Sequence, residues 1–290
     1  MSNSKYFYRF ENGDRVLEIK FNILKSQEVN EEVVGILHNL FENQFPVNEF
    51  KNLKFILRNH KKMLSGTVNI SKLFEDEAII YIDYPGFFID NDKKGFRLED
   101  YENFDREELR ETAIHETVHA YQVIESKHGK EILRELLKLD KFNEKSNHKK
   151  HLVNELNRFP RLCYLEGYAQ VISHLGKYYS NTESSIKKRY ENILNYGNEL
   201  NSAFHKFLKK GIKCEFLDLL YKYPYWYSPH MYSFMMYYNN RDFDILKDYT
   251  IEELFGEFEE ILDREGMIIP ISLRSGKGIF DIEDAKKRLI

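Results

Sequence analysis

Residues 105–126 read DREELRETAIHETVHAYQVIES, and the organisation of the whole chain turns on what this stretch becomes. Asp105 can accept from the Glu108 amide as an N-cap, and Phe104 and Leu109 occupy the two positions of a hydrophobic staple. A helix is therefore expected to start there and to run to about Ser126. Ala113, Val118, Tyr121 and Ile124 supply an apolar side for a core. His115 and His119 are four residues apart on this helix, so both imidazoles share one face, one turn apart, with Glu116 beside them. In a chain with 10 histidines a His-Glu-x-x-His pattern arises by composition on the order of a few per cent of the time. Its position inside a capped helix is what gives it weight.

On the N-terminal side of this helix the element types are mixed. Residues 16–21 (VLEIKF) alternate like a strand, Glu31 to Phe41 has the period of an amphipathic helix, and residues 53–57 (LKFIL) read as a second strand. Residues 78–84 (AIIYIDY) form a third, stopped by Pro85 and Gly86, and that stop predicts a strand near a sheet edge. On the C-terminal side strand signals become scarce. Helices are expected over Glu131 to Leu139, Pro160 to about Tyr178, and Ser185 to Lys210 with Gly211 as the stop. A short helix is expected from Ser228-Pro229. Another is expected behind the Thr250/Glu253 capping box, stapled by Tyr249 and Leu254 and closed by Gly266. Lys141 to His151 lacks apolar periodicity and reads as a surface connection, and its His148 and His151 have no carboxylate or cysteine partner at helical spacing. The fold class expected is α+β, mostly α. It divides into a mixed lobe over residues 1–128, which carries the His-Glu-x-x-His helix, and a helical lobe over residues 129–290.

Composition narrows the chemistry. The 290 residues carry 43 Lys+Arg against 47 Asp+Glu, a net charge of -4, so no basic excess recruits nucleic acid or an anionic membrane. Residues 1–12 contain no apolar run of signal-peptide type and no later stretch approaches spanning length, which predicts a soluble, cytoplasmic chain. The only cysteines, Cys163 and Cys214, form no C-x-x-C pair, so a metal would be held by nitrogen and oxygen. Two neutral imidazoles plus one carboxylate match zinc, with a fourth position left open for water and Glu116 placed to take its proton.

The best source of that carboxylate is residues 164–169, YLEGYA. His-Glu-x-x-His followed, after residues 120–165, by Leu-Glu-Gly-x-Ala on a second helix resembles the gluzincin zinc metallopeptidases, the group containing thermolysin and many aminopeptidases. The resemblance implies a two-lobed gluzincin-like fold, one Zn2+ per chain, and Glu166 as third ligand beside His115 and His119. The residues agree with it: Gly167 and Ala169 are small, as a helix packed closely under the first one requires, and Glu166 is the only acidic residue from Pro160 to Tyr178. Leu162, Leu165, Ala169 and Ile172 form the buried stripe of this second helix.

The resemblance further implies a Tyr or His that donates to the developing oxyanion. Residues 227–230 (YSPH) offer Tyr227 first, while His230 stands where aminopeptidases of the group carry Gly and is itself a candidate donor, as in thermolysin-like members. Gln170 stands where several gluzincins place an acidic residue that accepts from a ligand histidine, so either its neutral amide orients His115 here or another group takes that role. A Gly-x-Met-Glu-Asn-type motif for capturing a substrate amino terminus is not visible, which turns the implied activity toward an endopeptidase. The expectation is peptide-bond hydrolysis with Glu116 as general base and an extended peptide or protein substrate lying antiparallel to residues 78–84. Two other classes share these residues. One is a zinc protein that binds a partner without turnover, to which Glu116 would be superfluous. The other is a zinc hydrolase of a non-peptide amide or ester.

Overall fold

Strand-forming runs separated by a glycine turn open the described part of the chain. The computed structural model describes residues 7–22, 27–59, 65–84, 106–143, 148–174, 182–210, 213–239 and 246–267. It divides into two compact units, Met1–Ile124 and Glu125–Ile290.

In the first unit β1 (Phe7–Asn12) turns through Gly13, at φ +64, into the antiparallel β2 (Arg15–Phe21). The helix α1 (Gln27–Asn43) carries the chain over to β3 (Asn52–Asn59), which pairs parallel with β2. Next comes the short β4 (Ser65–Val68), then the single-turn α2 (Ile70–Leu73), capped by the Asn69 side chain. Behind it β5 (Ala78–Tyr84) pairs parallel with β3 and antiparallel with β4, giving the order β1-β2-β3-β5-β4. Leu17, Ile19, Phe21, Leu53, Phe55, Leu57, Ala78, Ile80 and Ile82 alternate along three strands and are all buried, so one face of the sheet is core. The opposite face carries charges in pairs. Arg58 makes a two-point contact with Asp83 at 2.8 Å on each oxygen, its guanidinium lies 4.3 Å over the Tyr81 ring, and Lys54 reaches Glu18 at 3.1 Å.

The strands expected at 16–21, 53–57 and 78–84 and the helix at 31–41 all form, yet residues 78–84 are not at an edge. β4 covers that side, and its own far side is the edge of the sheet among the described residues. β5 ends at Tyr84 with β4 paired alongside it, and the four residues of β4, Ser-Gly-Thr-Val, carry no apolar alternation to announce a strand.

The helix α3 (Arg106–Glu125) buries Leu109, Ala113, Ile114, Thr117, Val118 and Tyr121. Tyr121 meets Phe45 and Phe50 edge-on with centroids at 5.3 and 6.2 Å, Arg106 pairs with Glu32 of α1, and Arg110 donates to Gln44 at 3.1 Å. These contacts fix the rotation of α3 in its unit. Phe104 and Asp105, the expected staple and cap residues, lie outside the described residues.

The second unit is helical: α4 (Gly129–Asn143), α5 (His148–Ser173), α6 (Glu183–Lys210), α7 (Lys213–Trp226), α8 (Ser228–Asn239) and α9 (Ile251–Arg264). α5 is its spine and packs against α4, α7 and α8. Two expectations change here. Pro160 does not open a helix but sits inside α5, which begins twelve residues earlier at His148, and the surface connection read over 141–151 is taken up by α4 to Asn143 and by α5 from His148. α7 was not foreseen, because Pro224 in its last turn and its dense aromatic residues blur the helical period. The capping box at Thr250 forms as expected, with Glu253 N donating to Thr250 Oγ1 at 3.1 Å and Thr250 N to Glu253 Oε2 at 2.7 Å, and Gly266 closes α9 at φ +65. The class is mixed and mostly helical, with one open five-stranded sheet among the described residues. Among the described residues no helix is long and apolar enough to cross a membrane.

Candidate metal centre

The helical spacing of His115 and His119 becomes a distance in α3: their Nε2 atoms are 3.0 Å apart, with the rings at 89° and centroids at 4.6 Å. Zinc–nitrogen bonds of about 2.0–2.1 Å place two corners of a tetrahedron about 3.3 Å apart, so the pair is close to the edge a single ion requires. Thr117, between them in sequence, is fully buried and donates back to the Ala113 carbonyl of the same helix at 2.7 Å, which satisfies its hydroxyl on the buried, opposite face of α3.

The carboxylate comes from α5. His115, His119 and Glu166 each offer one ligand atom, these atoms lie within 4.8 Å of one another, and all three side chains are partly buried. Among the described residues this is the one group of His, Cys, Asp or Glu side chains that meets this condition. Two nitrogens and one oxygen are a donor set that fits a divalent cation of zinc type. The one described free cysteine, Cys163, is fully buried, and burial, with the nearby charge of Glu166 adding to it, pushes its thiol well above the ordinary range.

The seat of Glu166 explains the glycine that follows it. A Cβ at Gly167 would stand 2.6 Å from Tyr232 Cδ2 and 2.7 Å from both Cβ and Oγ of Ser228, so the α5 backbone lies directly on the first turn of α8. Tyr232 Oη donates to the Tyr164 carbonyl at 3.0 Å, and Ser228 Oγ donates to the Pro224 carbonyl. The close packing anticipated from Gly167 is real, but its touching neighbours are Ser228 and Tyr232 of α8, so the glycine sets the height and rotation of α5 within its own unit. Ala169 is fully buried, whereas Leu162, assigned to the buried stripe, is only partly so.

Glu116 is partly buried and lies against β4. A Cβ built on Gly66 would come within 2.2 Å of Glu116 Cγ, 2.8 Å of Cδ and 2.9 Å of Oε1. Gly66 pairs with Ile82, so it belongs to the buried face of the sheet, the face on which Glu116 arrives. Sequence reasoning missed this neighbour, since no pattern marks residues 65–68 as a strand.

Tyr227 is fully buried, and burial, followed by the charges of Cys163 and Glu259, raises its hydroxyl pKa well above the ordinary value, so it keeps its proton. His230 is partly buried in α8, 3.3 Å from Asn192 Nδ2 through Nε2 and stacked on Tyr196 at 6.5 Å and 13°. Burial, then Arg189 and Lys188, lower its pKa to about 4, which leaves the ring neutral near pH 7. His230 is not part of the three-residue group. Gln170, one turn beyond Glu166, is partly buried, and its backbone carbonyl accepts from Ser173 Oγ at 3.4 Å. Set against protein-family models, curated proteins and solved structures, the chain has no significant match in any of the three.

Proposed function

We propose that the chain is a zinc-dependent endopeptidase in which His115, His119 and Glu166 hold one zinc ion and Glu116 is the general base. The observation that carries this reading is the convergence of two imidazole nitrogens and one carboxylate oxygen within 4.8 Å. A base at the adjacent position of the same helix separates it from a purely structural metal site, which has no use for one. The gluzincin resemblance stated above supplies the reaction class.

When bound, zinc polarises the scissile carbonyl and makes water acidic enough to attack near neutral pH. The remaining chemistry belongs to this chain. Glu116 takes the proton of the attacking water on its carboxylate and returns it to the leaving amine. The edge of β4 is the natural place for an extended peptide, running antiparallel and pairing through its backbone, because Glu116 lies against that strand. This replaces residues 78–84, which are covered by β4. Tyr227 or His230 is the candidate oxyanion donor. Tyr227 brings a hydroxyl that stays protonated, and it reaches a substrate only if the turn before α8 yields; neutral His230 brings a single ring N–H.

The test is cleavage of an unfolded protein by the full-length chain loaded with zinc. Internal cuts are expected. They should stop on addition of a chelator and resume when zinc is restored. Zinc uptake without cleavage would favour the partner-binding reading, and turnover confined to small esters or non-peptide amides would favour the other hydrolase class.

A further inference from the structure

Gly66 has no positive φ and no turn to make. Its reason for being glycine is therefore space. The nearest obstacle to a side chain there is Glu116 Cγ, at 2.2 Å from the Cβ position, a separation no real pair of atoms sustains. Cγ is not the loose end of that side chain. Its position follows from χ1 and the α3 backbone, and on a helix χ1 has essentially two usable wells, because the third runs into the preceding turn. Relief of the contact therefore means a change of χ1, which carries the whole carboxylate to a different place. α3 is meanwhile held by Tyr121, Arg106 and Arg110 and has little freedom to retreat.

We propose that Gly66 is the positioning residue for Glu116: the missing side chain on the inner face of β4 leaves the slot in which the carboxylate lies against the edge strand. The inference rests on the proposed role of Glu116 as base. It adds a second consequence: one residue couples the base to the strand proposed to hold the substrate, so the attacking water is delivered at a fixed height above that strand. A methyl group at position 66 removes the slot while leaving the metal ligands untouched.

The experiment combines Gly66→Ala, Glu116→Gln and the double variant, all in the full chain with zinc. Gly66→Ala is expected to lower kcat by about 100-fold or more, the range of a lost general base, with KM changed by no more than a few-fold and zinc affinity unchanged. Crystals of Gly66→Ala should show Glu116 in another χ1 well. Adding Gly66→Ala to Glu116→Gln should cost nothing further, because glycine acts through the base. Wild-type kcat in Gly66→Ala, an unmoved Glu116, or an equal further loss on the Glu116→Gln background would each overturn the proposal. If Glu116→Gln itself keeps full activity, the general-base reading falls, and the χ1 of Glu116 in Gly66→Ala crystals still decides the steric claim. Should Gly66→Ala not fold, Gly66→Ala/Glu116→Ala removes the colliding Cγ and is expected to fold. A double variant that is equally unfolded refutes the contact.

Discussion

Glu116→Gln is expected to lower turnover by about 10²–10⁴-fold while zinc stays bound, because the amide keeps the shape of the carboxylate and loses its ability to take a proton. The side chain is only partly buried, so the amide brings little burial cost, and none of the three ligand atoms is touched. The comparison to make is kcat alongside zinc content and the far-ultraviolet circular dichroism of the same preparations. An inactive variant that still carries zinc and the wild-type spectrum isolates the proton transfer. Full activity in Glu116→Gln would remove the base from the reaction and, with it, the reason to prefer catalysis over a structural ion.

Glu166→Ala and His119→Ala should each weaken zinc binding by more than about 100-fold, the upper end of what outer-shell partners contribute to metal affinity. The histidine result alone would say little, since any His-x-x-x-His pair on a helix binds zinc to some extent. Glu166 is the informative position. It sits on α5, whose backbone at Gly167 is held against Ser228 and Tyr232, so truncating the carboxylate leaves that seat in place. Glu135→Ala is the matched control: its carboxylate accepts from Arg161 Nε and Nη2 at 2.7 and 2.5 Å, and its loss should leave zinc affinity as it was. Competition against a chromophoric chelator measures all three. Equal affinity in Glu166→Ala and Glu135→Ala would strip Glu166 of its role.

The parts of this molecule that were legible in the sequence are those governed by local periodicity. A spacing of four from His115 to His119 fixes a shared helix face whatever surrounds them, and the alternation in 16–21, 53–57 and 78–84 records one buried face of a sheet. Thr250 and Glu253 announce their capping box because both partners lie within one turn. What escaped reading depends on partners distant in sequence. β4 is a strand only because β5 is there to pair with it, and once it forms, residues 78–84 cease to be an edge. Pro160 looks like a helix start because the residues before it are charged and irregular; tertiary packing of Leu156 and Phe159, both buried, carries α5 through it. Gly167 announced a close approach without naming its neighbour. Gly66 announced nothing, since a glycine flanked by Ser and Thr reads as a turn until Glu116 is seen against it.

Zinc-edge X-ray absorption of the protein loaded with one equivalent of zinc reads the atoms around the ion directly. A shell of nitrogen and oxygen alone at about 2.0–2.1 Å, with the outer-shell scattering of two imidazoles, is the predicted result. Sulfur at about 2.3 Å, or an oxygen-only shell without imidazole, would contradict it.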